Sequence, residues 1–434
     1  MKNNNNAKKE NNKNNTFQWN LRGPGDPLEE LISKKLELPS IFINREVLRA
    51  DYLPSRLPHR AEHIKKLGET LLPIFRGSRP SNIFIYGKTG TGKTAVLKYV
   101  FNRFSEEASK RGLPLYFTYV NCRITGTEYR VLASLCEAIG LKIPFTGLAT
   151  AEVFNRFKTA LYNHNISLVI GLDEIDALVK NYGDDLLYEL TRINEISSNI
   201  QLSLVCVSND LMFKELLDPR VLSSLSEEEL VFHPYTALEL RDILSERVPL
   251  AFKPGVVSEE IINLCAALAA AEHGDARKAL DLLRVAGEVA ERNGSPIIKE
   301  THIRLAQGII ERGRIFEALT TMPLHSKIVL LSVVILKKSN VDVITSGSVY
   351  NLYKDLCNKL SLGPLTFRRV SGLLSELDMM GFLKCKIVNF GRYGRTKSIN
   401  LNIPIDEICS IFKNDDSLSF LLESEIKIKK ETLV

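Results

Sequence analysis

Eight consecutive residues of this chain could hold a phosphate chain together. Gly87-Lys88-Thr89-Gly90-Thr91-Gly92-Lys93-Thr94 follows the apolar run Ile83-Phe84-Ile85-Tyr86 and precedes Ala95-Val96-Leu97-Lys98-Tyr99-Val100. A phosphate chain needs backbone N–H groups converging from a tight loop, and the glycines permit that approach. A helix starting near Gly92 would add its positive dipole end. Lys93 would reach the β- and γ-phosphates, and the Thr94 hydroxyl would bind magnesium. A chance Gly-rich turn would lack the strand before the loop and the helix after it. The run Gly87, Lys88, Thr89, Gly90, Thr91, Gly92, Lys93, Thr94 and Ala95 is therefore assigned to a nucleotide, ATP or ADP with Mg2+.

Eighty residues beyond Lys93, the run Ser167-Leu168-Val169-Ile170-Gly171-Leu172 ends in Asp173-Glu174. An apolar strand ending in two carboxylates places them at the carboxyl edge of a sheet, where open α/β folds bind ligands. Asp173 would hold hydrated magnesium, and Glu174 would orient and polarise an attacking water. The same pair would also suit a helix start; the phosphate loop upstream favours the chemical reading. A third apolar run, Leu204-Val205-Cys206-Val207-Ser208, ends in Asn209, which could sense a γ-phosphate or simply form a turn. Gly274-Asp275-Ala276-Arg277 opens a helical stretch from which Arg277 could close over the γ-phosphate. Arg220, in Asp218-Pro219-Arg220-Val221, could serve a neighbouring subunit's nucleotide as an arginine finger. Either arginine could instead be an ordinary surface residue.

These groups need a scaffold, and the pattern supplies one. Strand-like runs (Ile83–Tyr86, Leu115–Asn121, Ser167–Leu172, Leu202–Ser208) alternate with helical spacing at Glu128–Ile139, Ala151–Tyr162 and Asp185–Ile196. That alternation predicts an α/β domain with a largely parallel sheet. After Pro234 the strand signals stop. Leu238–Val248, Ser258–Glu272, Asp275–Glu291 and Lys299–Arg312 predict a small all-helical domain, and Arg312–Pro323 reads as a linker. The expected boundaries are a disordered Asn/Lys-rich tail over 1–15, a nucleotide-binding base over 16–236, a helical lid over 237–312, a third domain over 320–405, and a tail or helix over 406–434.

The 434 residues are long enough for two or three domains, and 44% hydrophobic with 25% charged is ordinary for a globular chain. No run is long or apolar enough to span a membrane, and no secretory leader is visible. Seven scattered cysteines without a CxxC pair argue for reduced intracellular thiols and against a zinc site. The net charge of +6 is uneven: residues 324–404 carry twelve Lys/Arg against four Asp/Glu, so the rest is slightly acidic. A concentrated basic domain points to a polyanion, nucleic acid first.

That basic region reads as a winged helix. Helices are expected at about 324–338, 346–360 and 366–380, followed by a hairpin, Cys385–Phe390 with Thr396–Leu401, whose tip carries Arg392, Tyr393 and Arg395. Leu373, Leu374 and Leu377 are spaced to face a core. Thr366, Arg368 and Arg369 then lie at the exposed start of the third helix, where a recognition helix reads double-stranded DNA. The hairpin arginines would grip phosphates or the minor groove.

The order of phosphate loop, Asp-Glu strand, Asn strand, arginine and lid arginine resembles the AAA+ ATPases. Leu57-Pro58-His59-Arg60, Val120-Asn121-Cys122-Arg123, Asp218-Pro219-Arg220-Val221 and Gly274-Asp275-Ala276-Arg277 narrow the resemblance. They are similar to archaeal replication initiators related to the eukaryotic origin-recognition and cell-division-cycle loader proteins. The resemblance runs from about residue 40 to about 404. It implies that Leu57, Pro58, His59 and Arg60 lie on the adenine side. It also implies an initiator-specific helix within about 123–147, with Arg123, Tyr129 and Arg130 facing DNA, although Tyr129 would equally suit the core. The implied function is an ATP-switched origin-binding initiator that recruits or loads the replicative helicase and works beside a second copy or a paralogue on DNA. Slow hydrolysis and retained ADP belong to that expectation, as does a cytoplasmic location on chromosomal DNA. A nucleotide-regulated transcription factor and a ring-forming, DNA-stimulated loader are the alternatives.

Overall fold

A computed structural model describes residues 40–144, 146–164, 166–196, 200–225, 228–341, 343–389, 395–415 and 417–423. The Asn-rich head and the residues that follow it up to 39, the hairpin tip with Arg392 and Tyr393, and the end of the chain lie outside the described residues. The chain divides into two units, Met1–Ala306 and Gln307–Val434.

The first unit is built on a five-stranded sheet: β1 Ile83–Gly87, β2 Leu115–Asn121, β3 Ser167–Asp173, β4 Gln201–Ser208 and β5 Glu228–Phe232, in the order β2-β3-β4-β1-β5. All pairings are parallel, with Ile83 opposite Val205 and Asp173 opposite Val207. Parallel strands covered on both faces read as continuous apolar runs, and every residue of β1 is buried. One face packs Leu168, Ile170, Leu204 and Phe84 against helices α4 (Glu128–Ala138), α5 (Thr150–His164), α6 (Ile175–Tyr182), α7 (Asp185–Ile196) and α8 (Pro219–Leu225). The other packs Ile85, Val169 and Val207 against α1 (Ala61–Leu71) and α2 (Lys93–Arg111). Chain order matters here: β4 sits between β1 and β3, so the ends of β1, β4 and β3 lie side by side.

Helices α9 (Ala237–Ala251), α10 (Glu259–Ala271) and α11 (Ala276–Arg292) form the lid. A reciprocal capping box starts α9, with the Glu239 amide donating to Thr236 Oγ1 and the Thr236 amide donating to the Glu239 carboxylate at 2.7 Å. The segment from Ser40 to Leu48 is bound to this lid. Phe42 stacks on Phe252 at 4.6 Å, and the Ile43 amide donates to Ala251 O at 2.8 Å. Gly287 on α11 leaves room for that stack, since a Cβ there would lie 2.5 Å from the Phe42 ring.

The second unit takes up α12 (Glu300–Thr321) from Gln307 onward. It continues with α13 (Leu324–Lys338), α14 (Ser346–Lys359), α15 (Phe367–Met379) and the antiparallel hairpin β6 (Leu383–Asn389) with β7 (Arg395–Leu401). The linker expected over 312–323 is helical through Thr321, because Ile315 and Leu319 pack on the core of this unit and hold the turn in register. Two short helices, α16 (Ile405–Phe412) and α17 (Ser419–Glu423), bury Ile408, Phe412 and Leu421 in the same core, together with Leu418 just before α17. Among the described residues, no single helix is long and apolar enough to cross a membrane.

Candidate functional site

The loop from Gly87 to Gly92 reverses direction through left-handed glycines, Gly90 at φ +71 and Gly92 at φ +89. Both are also contact points. A Cβ at Gly90 would lie 1.7 Å from the Asp275 carboxylate, and one at Gly92 would lie 2.7 Å from the Tyr235 hydroxyl. The lid therefore rests on the loop itself. The Ala276 amide donates to Gly90 O at 3.1 Å, while Asp275 Oδ1 caps α11 by accepting from the Arg277 amide at 2.8 Å. That places Arg277 at the cleft wall.

Lys93 is 4% exposed, and its Nζ donates to Gly87 O and Lys88 O, both at 2.7 Å. Burial pushes its ammonium down to about 8, against the opposing pull of Asp173. Thr94 Oγ1 and the Tyr119 hydroxyl both donate to Asp173 Oδ2, at 2.7 and 2.9 Å. Burial and the Asp173 carboxylate push the Tyr119 phenol up, so it stays a donor. A hydroxyl and a carboxylate meeting on one side of the loop make a hard-oxygen pair suited to Mg2+, which takes one or two protein ligands and keeps waters and phosphates for the rest. Among the described residues no cluster of three or more His, Cys, Asp or Glu forms a separate metal cage.

Glu174 carries a left-handed backbone, φ +52, a conformation costly for a residue with a Cβ. Its carboxylate is held from β2: Asn121 Nδ2 donates to Oε1 at 3.4 Å, and Arg123 lies 3.7 Å from Oε2. Asn121 also caps the one-turn helix α3 (Cys122–Thr125) through its Oδ1. Asn209, at the end of β4, lines the cleft between the ends of β1 and β3. Asp176 fixes that strand end by accepting from Ser208 Oγ at 3.2 Å and from the Asn209 amide at 3.4 Å.

The cleft wall brings together Gly90, Thr91, Gly92, Lys93, Thr94 and Ala95 with Asp173, Glu174, Asn209 and Arg277. Leu57 and Pro58 line it as well, whereas His59 pairs with Asp242 of α9 at 2.9 Å. Arg60 is a buried brace: its guanidinium donates to Thr91 O and His233 O and lies 3.8 Å from the Tyr235 ring centre. Gly87, Lys88 and Thr89 form the back of the loop. Arg220 is not on this wall; it is exposed and paired with Asp218 at 3.0 Å. Sequence reasoning missed Tyr119, Asn121, Tyr52, Tyr235 and Arg247. Arg247 is buried, lies 4.7 Å from the Tyr52 ring centre and donates to Val47 O. The signal that could have found Arg247 was an arginine in a helix's apolar face; β2, with Tyr116, Thr118, Tyr119 and Asn121 in seven residues, singles out neither Tyr119 nor Asn121.

Of the expected DNA-facing residues in the first unit, Arg123 is 76% exposed at its side chain while paired with Glu174. Arg130 is exposed, and half-buried Tyr129 donates to Pro144 O at 2.5 Å while packing on the core. In the second unit, Thr366 Oγ1 caps α15 by accepting from the Arg369 amide at 3.4 Å. Arg368 and Arg369 are exposed, Arg369 lying 3.2 Å from Glu376. Arg395 begins β7.

A five-stranded parallel sheet in this order, a glycine loop after β1, carboxylates after β3 and a lid carrying an arginine define an AAA+ ATPase. Residues 76–211 match the AAA domain family, 241–308 the Cdc6 AAA+ ATPase-type lid domain, and 317–410 the Cdc6 C-terminal winged helix domain. The ORC1-type DNA replication protein of Pyrococcus horikoshii is 48% identical over 411 residues, covering 94% of this chain and 98% of that protein. ORC1-type DNA replication protein 1 of Sulfurisphaera tokodaii is 50% identical over 390 residues, covering 90% and 97%. A solved structure of the Aeropyrum pernix ORC1 protein in complex with DNA is 47% identical, with a TM-score of 0.79, covering 88% of this chain and 99% of that one. The chain belongs to the Cdc6/ORC1-type family of DNA replication initiators.

Proposed function

We propose that this protein binds double-stranded origin DNA through α15 and its hairpin, together with the Arg123–Arg130 region of the ATPase unit. On this reading it uses bound ATP as a switch in recruiting or loading the replicative helicase. The observation that carries the reading is the lid resting on the phosphate loop, with the Ala276 amide on Gly90 O and Asp275 against Gly90. Any change in the loop's contents is felt at the start of α11, where Arg277 is fixed.

In the cleft, Lys93 would exchange its two carbonyl partners for phosphate oxygens, and the bound anion would keep it protonated. Thr94 and Asp173 would hold Mg2+, which when bound offsets charge on the phosphates. Glu174, oriented by Asn121 and Arg123, would accept the hydrogen bond of the attacking water and its proton as the water's bond to the γ-phosphorus forms and the bond from that phosphorus to the oxygen of the departing ADP breaks. Asn209 would hold that water or a γ-phosphate oxygen. Arg277 would stabilise the charge that develops on the transferred group. Arg220 lies off its own cleft, which supports slow turnover by one subunit and a role for Arg220 at a neighbouring copy's nucleotide. ADP retained after turnover would be the switched-off state.

Crosslinking the protein to its own genome tests this reading. Sharp peaks at replication starts, lost in Arg368→Ala/Arg369→Ala and kept in Glu174→Gln with altered firing, are expected. Promoter peaks without any at replication starts would replace the initiator with a transcriptional regulator.

A further inference from the structure

An exposed phenylalanine stands among the basic residues at the start of α15. Phe367 is 48% exposed at the first turn of the helix, flanked by Thr366, Arg368 and Arg369. A large apolar side chain left in water there has a specific support beneath it. Its ring meets Tyr350 of α14 edge-on, centroids 5.3 Å apart and planes at 87°. Tyr350 in turn stacks on Tyr353 at 6.3 Å and donates from its hydroxyl to Leu365 O at 3.3 Å. Tyr353 is fully buried, bonded to His325 Nδ1 at 2.8 Å and accepting from the Leu365 amide at 3.1 Å. Three rings thus run from the core to the surface, and the last is held in place while remaining half uncovered.

Edge-to-face support of this kind fixes a ring's orientation and lowers the entropy lost on forming a new contact. The surroundings select the partner. Lys354 lies 5.0 Å from the Tyr350 ring centre, and Arg368 and Arg369 follow Phe367 directly. Cations around a rigid apolar group fit a polyanion that also offers an apolar feature. In the major groove of DNA that feature is the C5-methyl group of thymine, which phenylalanine contacts. Resting on the DNA-binding reading above, we infer that Phe367 reads a thymine methyl in the major groove and so sets sequence preference at one position, while the arginines hold the backbone or a guanine.

The test uses the full chain. Preferred duplexes are selected from a random DNA library, and each thymine in the selected site is then replaced singly by deoxyuracil, which removes only the methyl group. One such replacement is expected to weaken wild-type binding roughly threefold to tenfold, the scale of one methyl group moved out of water. Phe367→Ala should abolish that thymine–uracil difference at that position alone, lower the melting temperature only slightly through the lost edge contact with Tyr350, and leave the salt dependence of binding unchanged, since no charge is lost. Phe367→Leu should keep part of the difference. The inference is overturned if Phe367→Ala discriminates uracil as the wild type does, or if no thymine methyl matters to the wild type. It is also overturned if the alanine variant loses affinity equally for all duplexes. A wild type that binds no duplex at all would instead remove the DNA-binding reading.

Discussion

In the cleft, Lys93 and Asp173 are buried and their hydrogen bonds are taken up by Gly87, Lys88, Thr94 and Tyr119. At the start of α15, Arg368 and Arg369 lie in solvent beside an aromatic ring. On the proposed reading, the difference follows from what each region has to do. Bond-breaking chemistry gains from dipoles fixed in advance in a poorly solvated site, where a charge is strong and an unpartnered one is costly. Gripping a polyanion gains from hydrated cations that can adjust, and its strength comes largely from released counterions. The two regions should therefore fail differently when altered.

The largest effect is expected in the cleft. Glu174→Gln should lower single-turnover hydrolysis by roughly 10²–10⁴-fold while leaving nucleotide affinity nearly intact, since it removes a base and keeps the shape. Equal loss of binding and turnover would mean that Glu174 supports the site rather than acting in it. Next is the paired glycine experiment. Gly90→Ala combines a positive φ with a collision against Asp275, and should cost about 1–3 kcal/mol or more and displace the lid, read as a lower melting temperature and weaker nucleotide binding. Gly313→Ala, in helix α12 of the second unit with nothing within 4 Å, should be neutral or stabilise by up to about 1 kcal/mol.

Removing Arg368 and Arg369 together should weaken duplex binding and reduce the salt slope by about one for each phosphate that is no longer neutralised, uniformly across duplexes if both hold the backbone and more for the preferred site if one holds a guanine. Nucleotide binding should not change. A gentler probe is pH. Burial puts Lys93 at about 8, and a bound phosphate favours its charged form, so its value rises on binding. Below pH 8 both states are charged and affinity is flat. Above pH 8 binding must take up a proton, so affinity should fall, by up to about tenfold per pH unit. Lys93→Arg should show no such slope over this range, because its guanidinium stays charged. Smallest of all, Arg123→Ala should change stability by less than about 1 kcal/mol, as an exposed ion pair does; a larger change in hydrolysis than in stability would show that the pair tunes Glu174.

What was legible in the sequence was local. Gly87–Thr94 and Leu172-Asp173-Glu174 announce themselves because loop, strand end and helix start are contiguous, and the apolar runs of β1, β3 and β4 leave little choice of partner layer. What was not legible depends on residues brought together from far apart. Nothing near Asn121 or Tyr119 indicates that β2 supplies the partners of Glu174 and Asp173, because β2 neighbours β3 only in the folded sheet. Glu228–Phe232 is short, with its two glutamates unburied and only Leu230 and Phe232 turned inward, so its membership of the sheet had no strong pattern behind it. Arg60 was expected on the adenine side through resemblance, and its burial under the loop is visible only in three dimensions.

The segment from Ser40 to Arg60 has one further consequence. Its first part is fastened to the lid at Phe42, Ile43 and Val47, and its end is fastened to the base where Arg60 grips Thr91 O and His233 O. Leu48–His59 runs between the two anchorages, touching the lid on the way where Tyr52 meets Arg247 and His59 pairs with Asp242, and a chain of that length reaches no further than about 45 Å when pulled straight. It is a leash. The lid can swing away from the phosphate loop only as far as this stretch can unroll, and Tyr52 and Pro54, which line the nucleotide cleft, travel with it.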